Sequence, residues 1–181
     1  MEWQVISSIA AAVAAVSALI TAIIMTYQSH LMRLTIRVDA LLRLDAHFNS
    51  PDMKAIRKKA ASYLLRQRFN PHSALSDENK CRIALDDLLD FFEGIAFLSM
   101  RKGTPDPESV WCFFFHWIDH YYWAAKDYIE QAQKTDPLRW RDFVDFRKHL
   151  VSIENKHRKK YEPPDKEQLR RFLEDEAKLS M

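Results

Sequence analysis

His116 and His120 are four residues apart with Asp119 between them, and on a helix that spacing can point two imidazoles at one metal ion. The rest of a known metal pattern is missing. A zinc-protease motif places Glu directly after the first His, where this chain has Trp117. A di-iron bundle needs a Glu-x-x-His pair on each of two helices, and Glu154 with His157 supplies one. The set therefore predicts neither a metal site nor a cofactor, and reads as surface or interface histidines. Asp86, Asp87, Asp90 and Glu93 form a second cluster, able to act as paired acid and base or to accept Arg and Lys from neighbouring helices. Glu93 follows two phenylalanines and precedes Gly94, where the missing Cβ would let another backbone approach. It is expected to be buried and paired with Arg57 or Arg66, because buried carboxylates are rarely left unpaired. No phosphate loop, nucleotide fingerprint, nucleophile elbow or zinc-finger spacing occurs, so no catalytic residue is assigned.

The positioning elements are predicted to be helices. Only two glycines, Gly94 and Gly103, occur in 181 residues, too few for the turns and bulges of a sheet protein. Hydrophobic residues make up 48% of the chain and charged residues 29%, a balance that folds around one core. The net charge of +2 is far from the basic footprint of a nucleic-acid binder, so nucleic acid is not an expected partner. Cys81 and Cys112 show no metal or disulfide spacing and fit a reducing compartment.

Val5 to Met25 is an uncharged run of 21 residues, long enough as a helix to span a hydrocarbon core of ~30 Å. Trp3 and Tyr27 bracket it, and the first cations, Arg33, Arg37 and Arg43, follow on one side only. That asymmetry places the C-terminal side in the cytoplasm. A cleavable signal peptide and a buried soluble helix are the rivals. Glu2 in the n-region, the length of the run and a helical pattern unbroken until Asn49 favour the anchor. Ser7, Ala11, Ala14, Ala18 and Thr21 line one face of it with small residues, and Leu31, Leu34, Val38 and Leu41 continue the stripe. The first set allows close helix approach and the second a short coiled coil, so these positions define a candidate dimer face. Alanine as plain filler, with the leucines packing on the chain's own domain, is the alternative.

Helix starts are marked by an oxygen-bearing cap followed by proline or an acidic first turn. They fall at Ser50-Pro51-Asp52 (to about Arg68), Ser76-Asp77-Glu78 (to about Lys102, closed by Gly103), Asp106-Pro107-Glu108 (to about Gln133) and Asp136-Pro137 (to about Lys160). Pro163-Pro164-Asp165 precedes a last, more polar helix. The fold class is all-α: one transmembrane helix, then an antiparallel bundle of about five helices. The domains are an anchor at 1–28, a juxtamembrane helix or stalk at 29–48 and a cytoplasmic helical domain at 49–181. Ile83, Leu85, Leu88, Leu89, Phe92, Ile95 and Ala96 should give one core face. The aromatic helix from Val110 to Ile129 should lie at the centre of the bundle.

The stretch LDDLLDFFEGIAFLSMRKGTPDPESVWCFFFHWIDHYYWAAKDYI, then DPLRWRDF, with FNSPDMKAIRKKA at Phe48–Ala60, resembles the bacterial membrane-anchored family called domain of unknown function 4760. The likeness covers roughly Leu44 to Glu154. It rests on Phe91, Phe92, Glu93, Gly94, Gly103, Asp106, Val110, Trp117, Trp123, Trp140 and Phe143. It implies a fold and an inner-membrane location, and carries over no catalytic residue.

The leading expectation is a membrane-tethered interaction module that self-associates without enzymatic activity. Its partners would be the lipid bilayer, a second copy and a further protein. The alternative is a membrane-bound effector enzyme with a site assembled from Glu93, His116, Asp119 and His120. The basic runs Arg57-Lys58-Lys59 and Lys156 to Lys160 read as solvated surface, or as contacts to anionic lipid.

Overall fold

A computed structural model describes residues 2–71, 77–158 and 160–179, with only the backbone described at 2–16, 102 and 158. Six α-helices follow in order: α1 (Glu2–Phe48), α2 (Pro51–Phe69), α3 (Glu78–Phe97), α4 (Pro107–Thr135), α5 (Arg141–Arg158) and α6 (Lys166–Ala177). A π-helical turn, Leu98–Lys102, extends α3. Among the described residues there is no strand, and the protein is an all-α helical bundle. The chain divides into two compact units, Met1–Asp39 and Ala40–Met181.

In the first unit every described side chain, from Ser17 to Asp39, is exposed. Thr21, Thr26 and Thr35 turn their hydroxyls onto the carbonyls of Ser17, Ala22 and Leu31 at 2.9, 2.8 and 3.0 Å, which satisfies them without water. Among the described residues no helix is long and apolar enough to cross a membrane. The anchor expectation therefore finds no support there, and its first part, residues 5–16, lies outside the described side chains.

The second unit is built as the caps predict. Ser50 accepts from the Met53 amide, Asp106 from the amides of Glu108 and Ser109, and Asp165 closes a capping box with Gln168. Each satisfies amides that a helix start leaves orphaned. Gly103, at φ 63°, ends the π turn in the left-handed region that glycine adopts without strain. The core joins Leu85, Leu88, Leu89, Phe92 and Ile95 of α3 to Val110, Phe114, Ile118, Tyr121, Ala125 and Ile129 of α4. Phe143, Phe146 and Leu150 of α5 and Leu173 of α6 complete it. Phe48, 1% exposed, plugs one side with Phe114 and Trp117 at 5.5 and 5.2 Å. Ile83, expected in the core, is exposed, and Trp117 and Tyr128 are only half buried.

The start of α5 departs from expectation. Asp136 caps a turn through the Leu138 amide instead of opening a helix at Pro137, and α5 begins at Arg141. The cause is Trp140. It is buried at φ 54°, a conformation rare for a bulky side chain, and its indole donates to Asp90 at 2.7 Å. Its backbone cannot belong to a right-handed helix, so the helix starts after it.

Candidate functional site

The acidic cluster on α3 turns out to be a clamp on this entry to α5. Asp86, Asp90 and Glu93 lie one or two turns apart on one face. Asp86 accepts from Tyr128 at 2.7 Å and pairs with Arg139 at 3.3 Å. Asp90 holds Trp140, and Glu93 accepts from the backbone amides of Asp142 and Phe143 at 3.2 and 2.5 Å. Glu93 thus caps α5 from another helix, and the expected pairing with Arg57 or Arg66 is wrong. Burial pushes its carboxyl above the usual range, with the two amides pulling the other way. Arg66 pairs instead with Glu78. No atom from another element lies within 4 Å of a Cβ placed on Gly94, so the close approach expected there does not occur.

Arg57, read as part of a basic surface run, is 3% exposed. It forms a two-pronged pair with Glu176 of α6, at 2.7 and 2.5 Å, and its guanidinium lies 4.0 Å above the Phe48 ring. Tyr121 and Trp117 donate to the same carboxylate at 2.9 and 3.3 Å. Burial and the Glu176 charge push the Tyr121 phenol well above its ordinary value, so it stays a donor. In the second basic run Lys156, His157 and Lys160 are exposed, and Arg158 and Lys159 lie outside the described side chains. Lys156 pairs with Glu108, His157 stacks on Trp111 with centroids 4.7 Å apart, and Lys160 pairs with Glu162.

A cleft of about 620 Å³ opens between α4, the end of α5 and the connection into α6. Trp111, Phe115, His116, Asp119, His120 and Tyr161 form its aromatic and ionisable lining, with Cys112, Glu154 and Glu162 around them. His116, Asp119 and His120 therefore share one cleft, and Glu93 is not in it. Asp119 is 4% exposed and already committed. Arg147 of α5 donates to its Oδ1 at 2.7 Å, and the Tyr161 hydroxyl reaches both carboxylate oxygens at 2.9 and 3.0 Å. Trp123 and Arg147 in turn donate to that hydroxyl. Burial is the first cause that pushes the Tyr161 phenol up to about 12. The guanidinium of Arg147 faces the rings of Tyr122, Trp123 and Tyr161 at 4.8 to 5.1 Å.

The two histidines remain. Their rings lie 4.2 Å apart, and both touch Phe172 of α6, at 5.5 Å for His116 and 4.8 Å for His120. His120 Nδ1 is 2.7 Å from the His116 carbonyl oxygen. A carbonyl can only accept, so Nδ1 is the donor of this hydrogen bond. Although much of the His116 side chain is exposed, desolvation of its ring holds it below the ordinary imidazole value, and His120 adds to this. Neutral His116 is thereby favoured in the folded state. Its contribution to stability is full above pH ~6.5, the unfolded value, and is lost as pH falls from there through the folded value. Thermal unfolding followed by circular dichroism between pH 7.5 and 5 should show this loss, and His116→Gln should flatten that part of the profile. An unchanged slope in the variant would assign the acid sensitivity to other groups.

Among the described residues no group of three or more His, Cys, Asp and Glu side chains is placed to hold a metal ion. Both cysteines are free thiols, Cys81 buried and Cys112 exposed. Of the candidate dimer face, Ser7, Ala11 and Ala14 lie outside the described side chains, Ala18, Leu31, Leu34 and Val38 are exposed, and Leu41 is buried in the core of the second unit. Arg147, Tyr161 and Glu176 were invisible to sequence reasoning, because the partner of each is 28 to 119 residues away. Comparison with protein-family models, curated proteins and solved structures found no match.

Proposed function

We propose that this protein is a membrane-tethered helical module that self-associates and binds a further protein, with its C-terminal domain on the cytoplasmic face of the inner membrane. The observation that carries the reading is the exposed apolar surface of α1. Leu19, Ile20, Ile23, Ile24, Met25, Leu31, Met32, Leu34, Ile36 and Val38 are all 44 to 69% exposed. Such a surface calls for lipid or a partner. The uncharged run at 5–25 suits lipid, and the stripe at Leu31, Leu34 and Val38, flanked by Arg33 and Arg37, suits a second copy. The kinship with the domain of unknown function 4760 family belongs to this proposal and rests on the matching residues alone.

An effector enzyme is the second reading, supported by the shared cleft of His116, Asp119 and His120. It is the weaker one. Asp119 is neutralised by Arg147, and Glu93 serves α5, so neither is free to move a proton.

Crosslinking tests the self-association. In a chain carrying Cys112→Ser, a cysteine at Leu31 should crosslink in native membranes. Ala11→Leu with Ala14→Leu should weaken the crosslink severalfold by blocking backbone approach, whereas Ala12→Leu should leave it intact. Equal crosslinking in all three chains would remove the small face from the reading.

A further inference from the structure

Two charged residues stand outside the networks described above. Asp87 is the member of the α3 acidic cluster that the α5 clamp leaves out, and Lys59 ends the basic run whose first member, Arg57, is buried. Both border a groove of about 310 Å³ between α2 and α3.

The walls of the groove carry one pattern twice. On α2, Asp52, Ala55, Ile56 and Lys59 stand at i, i+3, i+4 and i+7, which is one helix face. On α3, Lys80, Ile83, Ala84 and Asp87 repeat that spacing with the charges in reverse order. The two helices run antiparallel, since Arg66 near the end of α2 pairs with Glu78 at the start of α3, and the charge of Lys59 is felt at Asp77 and Cys81. Reversed order on antiparallel helices brings like charges together. Lys59 and Lys80 mark one end of the groove and Asp52 and Asp87 the other, ~10 Å away, with alanine and isoleucine between them.

Neighbouring like charges repel, so each end of the groove favours an opposite charge from outside. Among the described residues Asp52, Lys59 and Asp87 take part in no ion pair, whereas Lys80 holds Asp77 at 2.5 Å. Ile83, whose spacing marks it for the core, is 46% exposed in the middle of the groove. A matching surface must be apolar at its centre, acidic at one end and basic at the other. The groove itself, turned end for end, is such a surface. A uniformly anionic lipid surface matches only the lysine end.

We propose that the α2–α3 groove is an isologous contact between two copies of this chain, related by a two-fold axis that crosses the groove at Ile83. Asp52 then meets Lys59 of the second copy, Asp87 meets its Lys80, and Ile83 packs on Ile83. With the axis along the groove, acid would face acid, so charge selects the antiparallel arrangement. Exposed ion pairs are individually weak. The contact therefore deepens the self-association reading and rests on it, because copies already joined through α1 meet at high effective concentration.

Crosslinking of the full-length chain in native membranes, with Cys112→Ser throughout, tests the contact. Ile83→Cys should give a crosslinked dimer. Asp52→Lys with Asp87→Lys makes both ends of the groove basic and should cut that crosslink roughly tenfold, as should Lys59→Asp with Lys80→Asp, which makes both ends acidic. The two reversed chains produced together should crosslink to each other as well as the parent does, because each is then the other's complement. A folding defect cannot give that rescue. If Ile83→Cys gives no dimer while a cysteine at Leu31 still crosslinks, the groove contact is overturned and association through α1 stands. If neither position crosslinks, the association itself is overturned, and the groove contact with it. A crosslink that survives both reversals, reversed chains that do not rescue each other, or a crosslink from the Ile83→Cys chain to a different protein would likewise overturn the contact.

Discussion

Arg57→Ala is expected to destabilise the bundle by about 3 to 5 kcal/mol, since it strands Glu176 as a buried, unpaired carboxylate. The two side chains are 4% and 8% exposed, so water cannot replace the lost partner. Glu176→Ala should cost about as much, for it strands Arg57 and also removes the acceptor of Tyr121 and Trp117. In a unit of this size the fall in melting temperature should be on the order of 10 °C. The informative comparison is Arg57→Met with Glu176→Leu and Tyr121→Phe. Replacing the ion pair and the Tyr121 hydroxyl by apolar groups of similar volume should recover most of the loss, because the penalty comes from desolvated groups left alone; of the donors to Glu176 only the half-buried Trp117 indole is then without its acceptor. Chemical unfolding of the set, followed by circular dichroism, decides it. If Arg57→Ala unfolds within about 1 kcal/mol of the parent, the pair is not the fastening between α2 and α6 that its geometry describes.

Arg147→Ala should produce the second large loss, again about 3 to 5 kcal/mol. Asp119 would keep only the Tyr161 hydroxyl, and that hydroxyl would lose one of its two donors. Asp119→Asn should cost less, because the neutral amide needs no counter-charge and Arg147 still packs on three aromatic rings. A double-mutant cycle should return a coupling of about 0.5 to 3 kcal/mol between the two residues. The effector-enzyme reading makes a different demand on Asp119. A catalytic carboxylate can be neutralised with little change in stability. A stable Asp119→Asn protein, uncoupled from Arg147, would therefore reopen that reading.

What is legible in the sequence and what is not separate along the divide between local and distant information. Helix starts at Ser50, Asp77, Asp106 and Asp165 were legible because a cap is a contact over two or three residues, written in adjacent letters. The α3 core face was nearly legible, because helical period and burial are the same signal; Ile83 escaped because a period marks a face without saying how far along the helix the partner reaches. The proximity of His116 to His120 was likewise local. Only the tertiary structure decided what distant groups do. Glu93 looked like half of an ion pair and is a cap for a helix 49 residues on, because Trp140 takes a left-handed backbone and brings the α5 amides to it. Arg57 reads either as surface or as a partner of Glu93, and is buried against Glu176, 119 residues away, which neutralises it. Composition and spacing specify which groups are present and which lie within a turn of one another; pairing across the chain is set by how whole helices pack, and no short pattern encodes it.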